Sequence, residues 1–292
     1  MKILILGVSG TVGKPLYISL SEEYDVHGTF CKNLPSDISS EHLHKFDIAD
    51  SIGLVTLMET INPDLVVSSL TGNFEQQLSV HQTLENYLRK NTSGRMIFIS
   101  TANVFDGDVR GQHSEKTAPH PISSYGKFKQ NCEEFLQDKL GDRCLVIRLP
   151  KILDKTATQD WYEHAKTGIA KPGHNPVIHE NLYFSLNTAE NVANAIRYCV
   201  GVEKSGVLHL TSCDFMSIDD CMKFILAQKN DVSGYTSQTL TIESYCNALG
   251  SNDLTILRHN SDNKFCLSLV CDDADISARF RLTCEDVIRS TI

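Results

Sequence analysis

The chain opens on an apolar stretch that runs straight into a glycine-punctuated turn: Lys2-Ile3-Leu4-Ile5-Leu6, then Gly7-Val8-Ser9-Gly10-Thr11-Val12-Gly13. A strand, a tight glycine turn and a helix in immediate succession leave few architectures open. The glycines bare the backbone where the chain reverses. The helix that follows presents its first N–H groups and the positive end of its dipole at the same place. That arrangement suits an anion, above all a pyrophosphate, at the first turn of a βαβ unit.

The alternation continues downstream. Strands are expected at residues 3–6, 25–29, 65–70, 95–100 and 144–149, with helices at 13–23, 51–61, 80–90 and 123–139. Strands separated by helix-length segments predict an α/β fold, a doubly wound parallel sheet with helices on both faces. After Pro150 the pattern changes. Gly168, Pro172, Gly173 and Pro176 mark residues 165–176 as a loop. A helix is expected at 188–199, a strand at 206–211, and a further helix capped by Ser217 with Asp219 and Asp220 in its first turn. The expected division is a dinucleotide-binding domain over 1–150, with strands from about 180–212 returning to it. Residues 151–292 then form mainly a small C-terminal α/β substrate lobe.

Composition narrows the partners. Among 292 residues, 36 acidic side chains face 27 Lys and Arg, for a formal net charge of −9. That balance argues against a nucleic-acid partner, which demands an excess of cations. It leaves room for a local basic cluster around an anionic substrate, with Lys151, Lys155, Lys166, Lys171 and Arg258 the candidates. The ten cysteines form no C-x-x-C pair and read as small buried hydrophobes. No apolar run approaches the roughly 20 residues needed to span a bilayer, no secretory leader is expected, and a reducing cytoplasm is the expected home. His42 with His44, and His174 with His179, each lack a third ligand nearby in sequence, so they read as surface histidines and no metal is expected.

The second strand bears on which dinucleotide fits the turn. A site for NAD usually ends this strand in Asp or Glu to hold the ribose 2′-hydroxyl. Here Val26-His27-Gly28-Thr29-Phe30-Cys31-Lys32 carries no carboxylate. Thr29 and Lys32 are candidates for a 2′-phosphate, so NADP is favoured, with NAD left open. Asp47, with Ile48 beside it, follows a third strand position and stands where an adenine amino group would be held.

The catalytic candidates come from three places. Ser100 and Thr101 end a strand, and Tyr125-Gly126-Lys127-Phe128-Lys129 opens a helix. Tyr125 and Lys129 are four apart and share one helical face. A phenol titrates near 10, and a neighbouring ammonium is expected to lower that value. With Thr101 hydrogen-bonding the same oxygen, Tyr125 would protonate a carbonyl as a hydride reaches its carbon.

At these residues a resemblance appears. Ile99-Ser100-Thr101-Ala102-Asn103-Val104-Phe105-Asp106-Gly107 is similar to the I-S-T-D-Y-V-F-D-G of the dTDP-4-dehydrorhamnose reductase branch of the extended short-chain dehydrogenase/reductases. Tyr125 to Lys129 resembles its Y-G-K-T-K, Pro63-Asp64-Leu65-Val66-Val67 its P-D-V-V-I, and Gly206-Val207-Leu208-His209-Leu210 its G-x-Y-H-L. The resemblance spans roughly residues 1–226. It implies a Rossmann-type NAD(P) domain with a small C-terminal lobe, and Thr101, Tyr125 and Lys129 as the catalytic set. Gly7, Ser9, Gly10, Thr11, Val12, Gly13, Thr29, Lys32, Asp47, Ile48, Ser69, Leu70, Tyr125 and Lys129 are the implied cofactor contacts, and Asn103 and Trp161 the substrate contacts.

The chain departs from the branch at Ala102-Asn103, at Ser68-Ser69-Leu70-Thr71-Gly72, and at Arg258-His259-Asn260, where an R-P step is usual. The expected activity is an NAD(P)H-dependent oxidoreductase reducing a keto group on a nucleotide-linked sugar or similar carbonyl compound. A nucleotide-sugar epimerase or dehydratase remains an alternative. So does a non-catalytic NADP-binding role like that of the regulatory β subunit of methionine adenosyltransferase. A small-molecule nucleotide sugar is the expected partner, with no membrane partner and a homodimer left open.

Overall fold

The computed structural model describes residues 1–35, 38–91, 93–167, 178–231, 235–251 and 264–292. The expected loop glycines and prolines at 168–176, with Lys171, His174 and Arg258, lie outside the described residues. The chain divides into two compact units. Unit one comprises residues 1–100, 128–148 and 189–208; unit two comprises 101–127, 149–188 and 209–292. The segment 101–127, expected within the first domain, groups with the second unit.

Unit one is built on a seven-stranded sheet. Its strands β1 (Lys2–Leu6), β2 (Asp25–Phe30), β3 (Leu43–Lys45), β4 (Leu65–Ser68) and β5 (Arg95–Thr101) are joined by Cys144–Leu149 and Gly206–His209. The spatial order is Gly206–His209, Cys144–Leu149, β5, β4, β1, β2, β3. β1 pairs in parallel with β2 on one side and β4 on the other, and the outer pairs β2–β3 and β4–β5 are parallel too. The order reverses at β1, which creates the crevice at the strands' carboxyl ends where ligands of such sheets bind.

Helices α1 (Gly13–Ser21), α2 (Ser51–Ile61), α3 (Phe74–Lys90) and α4 (Ser124–Leu140) supply the crossovers. Right-handed crossovers running in opposite directions from β1 place α1 and α3 on opposite faces. Pleating divides β1 accordingly. Leu4 and Leu6 join a core with Leu54, Met58, Leu84 and Leu136, while Ile3 and Ile5, equally buried, point to the other face. Each such side chain contributes about 1.5–3 kcal/mol by leaving water. α3 starts at Phe74, six residues before the expected Val80, because Asn73 caps it by accepting from the Gln76 N–H.

Unit two holds a four-stranded sheet in the order Met216–Ser217, Leu182–Phe184, Phe265–Leu269, Arg110–His113. A two-stranded pair joins Lys151–Leu153 to Leu186–Thr188. One of its cores gathers Trp161, Ile218, Met222, Ile225 and Val287. Seven cysteines are buried, Cys271 is half-buried, and Cys31 and Cys213 are exposed; all ten are free thiols. Among the described residues no helix is long and apolar enough to cross a membrane.

Candidate active site

The glycine turn after β1 sits at the sheet's reversal point. Gly7 has φ +94°, a conformation that L side chains avoid. Gly13 has no room for a side chain, since a Cβ there would lie 2.1 Å from the Gly7 carbonyl oxygen. Ser69, just past β4, locks the turn from the neighbouring strand, its hydroxyl donating to Leu6 O at 3.0 Å and Gly7 O at 3.3 Å. Val12 caps α1 with no side-chain hydrogen bond, and Ser9, Gly10 and Thr11 are exposed above it. A backbone stripped of Cβ atoms around an uncapped helix start is a cradle that fits a pyrophosphate.

The adenosine end differs in one respect from the sequence expectation. Thr29 is buried rather than facing outward, and its Oγ1 accepts from the Gly7 N–H at 3.1 Å. The cause is the register, which sets Thr29 opposite Leu6 and so beside the next amide. Lys32 is exposed beyond the strand end. Asp47 is exposed too, with Oδ1 accepting from the Ala49 N–H at 3.0 Å. Ile48 packs against the core and Leu70 is buried.

Lys129 is held inside unit one. Its ammonium donates to Ile99 O at 2.9 Å and lies 4.6 Å from the Phe98 ring centre. Burial pulls its pKa down to about 8, opposed by the Cys132 and Glu133 side chains. Glu133 is a buried hub. It accepts from Ser100 Oγ and from Arg148, whose Nη2 lies 2.7 Å from Oε2. Arg148 is therefore a structural partner of Glu133.

In unit two, Thr101 and Tyr125 meet. Thr101 ends β5 and caps a short 3-10 turn, Ala102–Phe105, accepting from the Asn103 N–H at 3.2 Å. Its hydroxyl also hydrogen-bonds the Tyr125 phenol. The phenol's pKa is raised above its usual 10 by burial, with the Thr101 hydrogen bond pulling the other way. This corrects the expected lowering. Tyr125 remains a protonated hydroxyl at neutral pH.

Sequence reading missed what holds Tyr125 in place. Asp106, fully buried, accepts from the Ile122 and Ser123 N–H groups at 2.7 and 3.2 Å and from the Ser123 hydroxyl. The Ser123 oxygen in turn accepts from the Gly126 N–H at 2.9 Å, which caps α4. Gly126 must be glycine for contact reasons, because a Cβ there would meet Asn103 O at 2.3 Å. The D-G and Y-G steps of the sequence were the available signal.

Thr101, Asn103 and Tyr125 open onto a cavity of about 730 Å³ within unit two, lined also by Lys151, Trp161 and Tyr183. Such a volume suits a mostly apolar small-molecule site with a few convergent polar groups. Lys151 Nζ lies 5.8 Å from the Trp161 ring centre, and desolvation lowers its pKa. Of the expected basic cluster it lines this cavity, whereas Lys155 and Lys166 do not. Lys129 follows Tyr125 by one turn of α4 and counts with unit one.

A second cluster corrects the reading of His42 and His44 as isolated surface side chains. Asp25 and His27 of β2 stand beside them, a partnership created by strand pairing across 15 residues of sequence.

Comparison with known proteins places these features in context. Residues 87–245 match the model for the RmlD substrate binding domain, and residues 3–151 that for the NAD dependent epimerase/dehydratase family. A probable low-salt glycan biosynthesis reductase from Haloferax volcanii is 29% identical over 161 residues, covering 51% of this chain and 53% of that protein. The chain spans about half the length of the curated relatives it matches. A hypothetical dTDP-4-dehydrorhamnose reductase from Sulfolobus tokodaii has the same fold, with TM-score 0.73, 22% identity and coverage of 98% and 99% of the two chains. So does a dTDP-4-dehydrorhamnose reductase from Bacillus anthracis in complex with NADP, with TM-score 0.73, 15% identity and coverage of 99% and 98%.

Proposed function

The chain belongs to the RmlD substrate binding domain family and, over its first half, to the NAD dependent epimerase/dehydratase family, and on that footing we propose that it reduces a keto group on a nucleotide-linked sugar. The observation that carries this reading is the Thr101–Tyr125 hydroxyl pair at the wall of a 730 Å³ cavity. Names of relatives point the same way, since the Haloferax protein and the Sulfolobus structure are both described as reductases.

The turn Gly7–Gly13, with Ser69 behind it, is the proposed seat of the dinucleotide, and Lys32 with the missing carboxylate favours NADP. When bound and reduced, that cofactor supplies the hydride. Tyr125, kept protonated by its raised pKa, donates its O–H to the substrate oxygen as negative charge builds there. Thr101, whose one hydroxyl proton goes to Asn103 Oδ1 at 3.0 Å in the free chain, turns that proton to the same substrate oxygen and fixes its position. Lys129 is assigned to the ribose hydroxyls. Lys151 and Asn103 are the polar groups for the sugar nucleotide, and Trp161 gives the sugar a flat apolar wall. Ten free thiols suit a reducing cytoplasm.

The test is NADPH oxidation with dTDP-4-keto-6-deoxy sugars, followed at 340 nm, for wild type and Tyr125→Phe. The variant should bind NADPH with unchanged affinity by fluorescence and lose about 10²–10⁴ in kcat. Turnover within tenfold of wild type would remove Tyr125 from the mechanism. Conversion of substrate without net NADPH loss would identify an epimerase instead.

A further inference from the structure

The cluster on β2 and β3 lies toward the opposite end of β2 from the glycine turn, with His44 across from Thr29 at its near edge. β2 and β3 run parallel with Gly28 opposite Leu43, so His27 falls beside His42 on one face of the sheet. Asp25, two residues before His27, shares that face. Asp25 opens β2, whereas Thr29 sits by the glycine turn four residues on, about 13 Å along the strand.

The donor atoms converge. Asp25 Oδ1 lies 3.5 Å from His27 Nε2 and 3.4 Å from His42 Nδ1. Ligand atoms of the three residues all fall within 4.8 Å of one another. A tetrahedral zinc with bonds of about 2.0–2.1 Å holds its ligands about 3.3 Å apart, close to the two measured separations. The two imidazoles stack with ring centres 4.5 Å apart and planes 9° from parallel, so one ring must turn about its side-chain torsions for both in-plane lone pairs to reach a single ion. Solvent reaches the group, since the Asp25 and His42 side chains are each about two-fifths exposed.

His44 completes the argument. Its Nε2 lies 3.0 Å from His27 Nδ1. Histidine ligands to metals usually donate their other ring N–H to a fixed acceptor, which sets the tautomer. With its proton on Nδ1, His27 donates to His44 and turns the Nε2 lone pair toward the Asp25 carboxylate. In that tautomer the Nε2 lone pair is free to take a cation shared with the Asp25 carboxylate.

We propose that Asp25, His27 and His42 bind a divalent transition metal of the zinc class, with His44 as the acceptor that orients His27. Two imidazoles and one carboxylate select zinc, copper or nickel over magnesium or calcium. Three protein ligands leave a fourth position for water. The metal ties the start of β2 to the edge strand β3.

The test uses the full chain stripped with a chelator and titrated with zinc chloride by calorimetry, with melting curves alongside. One equivalent of zinc per chain and a rise in Tm are expected. Cobalt(II) in place of zinc should give the intense visible bands of a four-coordinate site. His27→Ala with His42→Ala should abolish both signals, and His44→Ala should weaken zinc about 10–100-fold. His120→Ala, at an exposed histidine elsewhere, should change nothing. Should the double variant fold poorly, His42→Gln alone must lose the cobalt bands. Absence of stoichiometric zinc in the wild type overturns the proposal. So does one retained equivalent in the double variant with a wild-type metal-free Tm, because other side chains then bind the ion.

Discussion

Lys129 shows what burial does to a single charge. With a pKa of about 8 in the folded chain against 10.5 when exposed, it binds fewer protons folded than unfolded between those values. Below pH 8 it is charged in both states, and its desolvation opposes folding in full. As pH rises from 8 to 10.5 the folded lysine loses its proton first, and stability increases by up to about 3 kcal/mol. Lys129→Met removes this slope. Urea unfolding of both proteins from pH 7 to 10.5 should show their stability difference shifting by about that amount. The sequence identified Lys129 through its spacing from Tyr125. The direction of the Tyr125 shift was not legible there, since spacing reports which side chains share a face and says nothing of how much solvent each loses.

Among elements, the helix α4 carries the clearest consequence of a close contact. A methyl group on Gly126 would collide with Asn103 O and with Pro121 Cβ at 2.7 Å. Gly126→Ala should cost about 1–3 kcal/mol in urea unfolding and lower kcat by displacing Tyr125 from Thr101. A wild-type kcat in that variant would show that the phenol tolerates the shift. The central strands were readable because they are short apolar runs bounded by turn residues. The strand Leu43–Lys45 carries two polar side chains, His44 and Lys45, in three residues, and Arg110–His113 has no apolar residue at all. Both are strands because a neighbour pairs with them, Phe265–Leu269 in the second case. Such pairing is decided in space and leaves no local pattern. The Asp25–His27–His42 cluster was hidden for the same reason.

At the scale of the whole molecule the net charge is −9, and Lys151 is the described cation on the cavity wall. The distribution of thiols has a different consequence. Burial drives the Cys132, Cys144 and Cys284 thiols up to about 12, which leaves almost no thiolate at those three positions in the folded chain. An alkylating reagent should therefore modify Cys31 and Cys213 within minutes and reach the buried thiols only through opening of the structure. Cys132, Cys144 and Cys199 belong to unit one, and Cys221, Cys246, Cys266 and Cys284 to unit two. Peptide mass spectrometry of a timed iodoacetamide pulse would then read each unit's opening separately, and equal rates at all seven would signal a single cooperative event. The cysteines that no chemistry uses thus form a built-in clock for local unfolding, with hands in both halves of the molecule.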